Sequence, residues 1–104
     1  MVNKDDFEYY ISEVAVSSKT GQSLSKRVVS NTLSRARRIE KATGCQLTHK
    51  LCASEERFQA LLSQIIYLQL GVTEANPYAY ASYVYTANLY RRFSEWFKAN
   101  EGLY

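Results

Sequence analysis

The sequence predicts an all-α fold, a compact bundle of four helices, and three observations lead there. Apolar residues recur at three- and four-residue steps, the period of helices that bury one side. All four Gly and the single Pro fall between the periodic stretches rather than inside them, where helix breakers belong. Alternation of the kind a strand needs occurs only at Tyr78–Tyr85, and the helical face that continues through Arg91–Lys98 keeps that segment helical.

The first helix is expected from Asn3 to Ala15. Asn3 is a fitting N-cap, Asp5 and Asp6 suit the positive end of the helix dipole, and Phe7, Ile11 and Val14 share a face. Val16–Gln22, with Ser17, Ser18, Thr20 and Gly21, reads as a loop. The second helix runs from Ser23, its expected cap, to Thr43, and Gly44 ends it in the left-handed conformation. Leu24, Val28, Val29, Thr32, Leu33, Ala36, Ile39 and Ala42 occupy one half of it. The other half collects Lys26, Arg27, Ser30, Asn31, Ser34, Arg37, Arg38 and Lys41, with Arg35 at the border.

A connector follows, and then a third helix capped by Ser54, with Glu55 and Glu56 in its first turn, ending at Gly71. Phe58, Leu61, Leu62, Ile65, Ile66, Tyr67, Leu68 and Leu70 make it apolar nearly all round, so it is expected at the centre of the bundle. After Pro77 the last helix begins before Ser82 and reaches Asn100, with Gly102 beyond it and Ala81, Tyr85, Leu89, Phe93 and Trp96 as its main stripe. A short extended piece at Tyr78–Tyr80 is compatible with this reading.

Residues 1–104 suit one domain. Hydrophobic residues at 46% and charged residues at 22% match an ordinary globular balance, so a folded core is expected. The run Ala60–Leu70, interrupted by Ser63, Gln64 and Gln69, is too short and too polar to span a bilayer. Asp5, Asp6 and Glu8 stand where a secretory leader would be basic and then apolar, so a cytoplasmic location is expected. In a reducing compartment Cys45 and Cys52 read as small, partly buried thiols. With His49 they offer three metal ligands where structural zinc takes four, and no metal or cofactor is expected.

Catalytic patterns are missing from the sequence. Gly21, Gly44, Gly71 and Gly102 are isolated, so no phosphate loop forms. The acidic pairs Asp5–Asp6 and Glu55–Glu56 sit where helix starts favour negative charge. A non-enzymatic role is the expectation.

Charge is what stands out. Residues 16–50 carry eight basic residues against Glu40 alone, whereas residues 1–15 are net acidic. Six of the eight lie on the second helix. Arg27, Asn31, Ser34, Arg38 and Lys41 form a stripe without a carboxylate, unlike ordinary solvated faces, which mix signs four residues apart. Cations that displace counterions, interleaved with hydroxyl and amide donors, are what phosphate contact requires. The candidate nucleic-acid contacts are Lys26, Arg27, Asn31, Ser34, Arg35, Arg37, Arg38 and Lys41, with Lys19 as an accessory. The chain also holds nine tyrosines. Tyr78, Tyr80 and Tyr83 point to different sides of a helix, so an exposed cluster suited to a protein contact or to base stacking is expected there.

The stretch Ser23-Leu-Ser-Lys-Arg-Val-Val-Ser-Asn-Thr-Leu-Ser-Arg-Ala-Arg-Arg-Ile-Glu resembles the second helix of the SAM-like core-binding domain of tyrosine recombinases, the phage integrases. Tyr83-x-Tyr85-x3-Leu89-Tyr90-Arg91-Arg92-Phe93-x2-Trp96-Phe97 resembles that domain's last helix. The resemblance covers about Asp5 to Asn100 and implies a four-helix domain that grips double-stranded DNA as half of a clamp. It implies binding without strand cleavage, since His49 is followed by Lys50, Leu51 and Cys52 rather than the His-x-x-Arg of the catalytic domain. The acidic first helix departs from what a DNA clamp prefers. Two expectations follow: a DNA-binding module working through the second helix, or a protein-interaction or self-associating adaptor or inhibitor of mobile-element origin using residues 78–85.

Overall fold

The structure, a computed structural model, describes Met1 and residues 3–16 and 20–100. Lys19, the tip of the expected loop and Gly102 therefore lie outside the described residues. Along the chain run α1 (Lys4–Tyr9), which widens into a π-helical turn at Tyr10–Val14, then α2 (Lys26–Thr43), α3 (His49–Ala53), α4 (Glu55–Tyr67) and α5 (Tyr80–Ala99). The all-α class holds, and among the described residues the only strand-like pairing is an isolated antiparallel bridge between Val16 and Ser23. Among the described residues the expected four helices become five, because the connector before Ser54 folds into α3. There the Thr48 hydroxyl accepts the Leu51 N–H at 3.1 Å and starts a short turn of helix.

Asn3 occupies the N-cap position of α1, but its side chain caps nothing. Its amide reaches across to donate to the Tyr90 hydroxyl at 3.3 Å. Phe7, Tyr10 and Ile11 are buried. Two adjacent inward residues are more than a regular helix places on one line, and the wide turn accommodates them: the Ala15 N–H bonds the Tyr10 carbonyl, five residues back, at 2.9 Å.

The second helix begins later than its expected cap. Ser25, in extended backbone, accepts the Val28 N–H on its hydroxyl at 3.2 Å, while Ser23 pairs with Val16. Gly44 ends α2 as expected, with φ 72° and its N–H on the Glu40 carbonyl at 2.9 Å.

Ser54 caps α4 as expected, accepting the Arg57 N–H at 3.3 Å. This helix is not the centre of the bundle. Phe58, Leu61 and Ile65 are buried, yet Ile66 is 43%, Leu68 42% and Tyr67 84% exposed. It also stops at Tyr67, and the chain turns through Gln69 at φ 52° and Gly71 at φ 76°. α4 and α5 pack against each other and both touch α2 and α3, but the larger buried face belongs to α5. Its buried residues are Tyr83, Thr86, Ala87, Leu89, Tyr90, Phe93 and Ser94, a face rotated from the expected stripe, since Ala81 is exposed and Tyr85 half-buried. The segment at Tyr78 forms a turn into α5 rather than an extended piece, with the Ala81 N–H on the Tyr78 carbonyl at 3.0 Å.

The core is aromatic at one end. Phe7 lies 5.1 Å from Tyr90 and 5.4 Å from Phe93, and Tyr10 lies 5.7 Å from Phe93, in tilted pairs. The Tyr90 hydroxyl donates to the buried Leu47 carbonyl at 3.1 Å, which ties the connector after α2 to the centre of α5. Burial pushes that phenol up to about 12. At the other face of α5, Arg91 donates to Glu55 and lies over the Phe58 ring at 4.8 Å, clamping the start of α4. Cys45 is exposed rather than partly buried, and Cys52 is half-buried with its thiol pushed up to about 11 by burial. Both are free. No helix of the described residues is long and apolar enough to cross a membrane.

Candidate nucleic-acid interface

The buried face of α2, centred on Thr32, Ala36 and Ile39, fixes which side of the helix looks outward. Opposite it, Arg27, Asn31, Ser34, Arg38 and Lys41 follow one another at steps of three and four residues, and all are exposed. The only acidic residue of the helix, Glu40, turns inward. Its carboxylate accepts the Leu47 N–H at 2.8 Å and lies 3.4 Å from the Met1 amino group. Among the described residues no carboxylate comes within ion-pair distance of Arg27, Arg35, Arg37, Arg38 or Lys41. Among the described residues the cations of the stripe are therefore left without ion pairs.

The two flanks of the stripe differ. On one, Lys26 and Ser30 line a groove with Leu24, Val29 and Leu33, and Glu8, Ser12 and Glu13 form its far wall. Arg37, exposed, shares the side of Lys26 and Ser30 by helical period. The acidic first segment thus sits beside the Lys26 end of the helix and offsets part of its charge. The other flank meets α5 and the turn after α4, and no acidic residue lines it. A small polar cleft of about 240 Å³ is bounded by Asn31, Ser34, Arg35, Arg38 and Tyr83. A larger one of about 490 Å³ is bounded by Arg38, Lys41, Ala42, Leu70, Gly71 and Tyr83.

Arg38 and Tyr83 border both clefts and bind one another: the guanidinium donates to the phenol oxygen at 3.1 Å. That bond raises the Arg38 pKa further. Tyr83 is held from behind. A Cβ on Gly71 would stand 2.6 Å from the ring edge, so only a glycine in this left-handed turn lets the ring lie where it does.

The three tyrosines expected as one exposed cluster are separated. Tyr78 is 72% exposed, Tyr80 is half-buried, and Tyr83 is 5% exposed and committed to Arg38. They do not form a single patch, because the turn at Pro77 carries Tyr78 outward while α5 turns Tyr83 into the bundle. What the sequence reading missed is that Tyr83, Gly71, Leu70 and Ala42 adjoin the basic stripe. Gly71 was visible as a helix terminator, but its tertiary neighbour was not.

His49 is placed away from this face. Its Nδ1 lies 2.8 Å from the Ser94 hydroxyl, and its ring stacks on Phe97 at 4.7 Å between centroids. Burial, with Lys98 adding to it, lowers its pKa. Among the described residues no group of three His, Cys, Asp or Glu is gathered that could hold a metal ion. No protein-family model, curated protein or solved structure matches the chain.

Proposed function

We propose that the chain is a non-catalytic DNA-binding module that holds duplex phosphates on the outer face of α2, a role of the kind played by the SAM-like core-binding domains it resembles. The observation that carries this reading is the stripe Arg27, Asn31, Ser34, Arg38 and Lys41, exposed throughout, with Glu40 turned away into the connector. Cations with no carboxylate partner among the described residues lose little on meeting phosphate, and the counterions they displace from DNA supply the binding free energy. Asn31 and Ser34 add neutral donors that suit phosphate oxygens. His49 is bonded to Ser94 and stacked in the aromatic end of the core, which favours a structural use for the chain's one histidine over an acid–base one.

The test is fluorescence anisotropy with a labelled duplex of about 20 base pairs, more than twice the length of α2 at 1.5 Å rise per residue. Wild type is compared with a triple change of Arg27, Arg38 and Lys41 to Ala at two salt concentrations. Binding that weakens steeply with salt and disappears in the variant supports the reading; no binding at low salt removes it.

A second reading, association with another copy of the chain, is favoured by one observation. Ile66, Tyr67 and Leu68 are exposed within a run, residues 58–73, that holds no charged residue, so two copies could meet there without like-charge repulsion. A sizing measurement that returns a monomer at high concentration eliminates it.

A further inference from the structure

The paired clefts on the α5 flank of α2 have a division of labour that a row of phosphate contacts does not need. The smaller is lined by Asn31, Ser34, Arg35, Arg38 and Tyr83, every one of which can donate a hydrogen bond. Because the Arg38 guanidinium donates to the Tyr83 oxygen, the phenol proton is left free to donate outward. With two guanidinium groups that only donate, Arg35 and Arg38, a dianionic or monoanionic phosphoryl group is the ligand such a donor-rich recess fits best. The larger cleft opens beside it, sharing Arg38 and Tyr83, and its remaining lining is Ala42, Leu70 and Gly71, with Lys41 at the rim. At about 490 Å³ it falls in the range of about 300–1,000 Å³ typical of small-molecule sites.

A phosphate seat adjoining an apolar slot, with a guanidinium plane on the boundary, matches the shape of a nucleotide whose base has left the stack. A fully paired duplex offers the phosphate and hides the base. We propose that this flank seats one unpaired nucleotide, at a strand end or in a single-stranded stretch, with its phosphate between Ser34, Arg35, Arg38 and Tyr83 and its base against Ala42 and Leu70. The proposal rests on the nucleic-acid reading of α2 and deepens it: paired phosphates engage the stripe, and the flank reads where pairing stops. The seat is prebuilt, because the Gly71 turn fixes the Tyr83 ring and Tyr83 fixes Arg38. Guanidinium and apolar surfaces accept any base face, so little sequence preference is expected at the slot.

The experiment uses the full chain and three labelled probes: a blunt duplex, the same duplex with a short single-stranded overhang, and a phosphotyrosyl peptide, which also joins a phosphate to a flat ring. Two variants are compared with wild type. Ala42→Leu fills the slot from an exposed helix position, and Tyr83→Phe removes one donor while keeping the ring. The expected result is tighter binding of the overhang than of the blunt duplex. Ala42→Leu should abolish that preference, a loss of about fivefold or more for the overhang alone. Tyr83→Phe should weaken overhang binding about tenfold, as loss of a hydrogen bond to a charged group does. Equal binding of blunt and overhanging duplexes, unchanged in Ala42→Leu but lost when Arg27, Arg38 and Lys41 are replaced, overturns the nucleotide seat and leaves the duplex reading standing. Failure of every oligonucleotide to bind wild type overturns both, and a peptide that binds more tightly than the overhang overturns the seat by giving it to a different ligand.

Discussion

His49 shows how one side chain ties stability to pH. Its ring lies among Phe93, Phe97 and Tyr90, with Ser94 on Nδ1. Burial first, and then Lys98, lowers its pKa, while Asp6 opposes the shift weakly. The folded protein therefore holds this imidazole neutral at a pH where the unfolded chain, near the ordinary value of about 6.5, takes up a proton. The unfolded state then binds more protons, so stability rises with pH across that window and falls as pH drops below about 6.5. The loss levels off once the folded ring itself is protonated. The chemical-denaturation midpoint is expected to decline as pH falls below about 6.5, and His49→Gln should flatten that decline. Because this is the chain's one histidine, its NMR titration reads the same shift directly. A midpoint at or above about 6.5 in the folded protein contradicts the assignment.

Among the helices, boundaries set by local chemistry were legible and those set by distant contacts were not. Ser54 and Gly44 cap as expected because capping needs only neighbouring backbone. Ser23 and Ser25 look alike in sequence, and only the pairing of Val16 with Ser23 draws Ser23 away from the helix. Ser25→Ala should cost about 1 kcal/mol of unfolding free energy, whereas Ser23→Ala should leave urea denaturation nearly unchanged. Equal losses would return the cap to Ser23. The error over α4 has a different origin. Its composition is apolar on nearly every side, which in isolation means complete burial. A helix is enclosed only if partners exist all round, and α2, α3 and α5 leave the side of α4 at Ile66 and Tyr67 uncovered. Consecutive residues Ile65 and Ile66 separate the two readings. Ile65 is fully buried, so Ile65→Ala should cost about 2–4 kcal/mol. Ile66 is 43% exposed, so Ile66→Ala should cost less than about 1 kcal/mol. Comparable losses in a denaturation series would restore α4 to the centre. The candidate site was half legible for the same reason. The stripe on α2 follows from period and charge alone, but the place of Tyr83 beside it depends on a turn at Gly71 and on how α5 is rotated.

Charge is distributed over the protein so that the basic helix is screened at one end and open at the other. Glu8 and Glu13 face Lys26 and Ser30 across one groove, while Arg35, Arg38 and Lys41 lie toward the flank whose lining holds no acid. A polyanion approaching α2 meets repulsion near the first segment and attraction toward the Lys41 end. The footprint should therefore be polarised along the helix, although the sequence alone placed Lys26 on equal terms with Lys41. Each phosphate contact contributes about 0.9 to the slope of log affinity against log salt on duplex DNA. Lys41→Ala and Arg38→Ala should each reduce that slope by about one, and Lys26→Ala should reduce it by clearly less. Changing Glu8 and Glu13 to Gln relieves the repulsion without adding a contact. Affinity for duplex should rise in that variant at low salt, and the gain should shrink as salt screens it, since the Debye length falls to about 8 Å near physiological ionic strength. If Lys26→Ala instead costs as much slope as Lys41→Ala, and the Gln variant binds as wild type does, the acidic segment lies outside the field the DNA experiences. The duplex would then have to cross α2 nearer its first turn, away from the clefts at Tyr83.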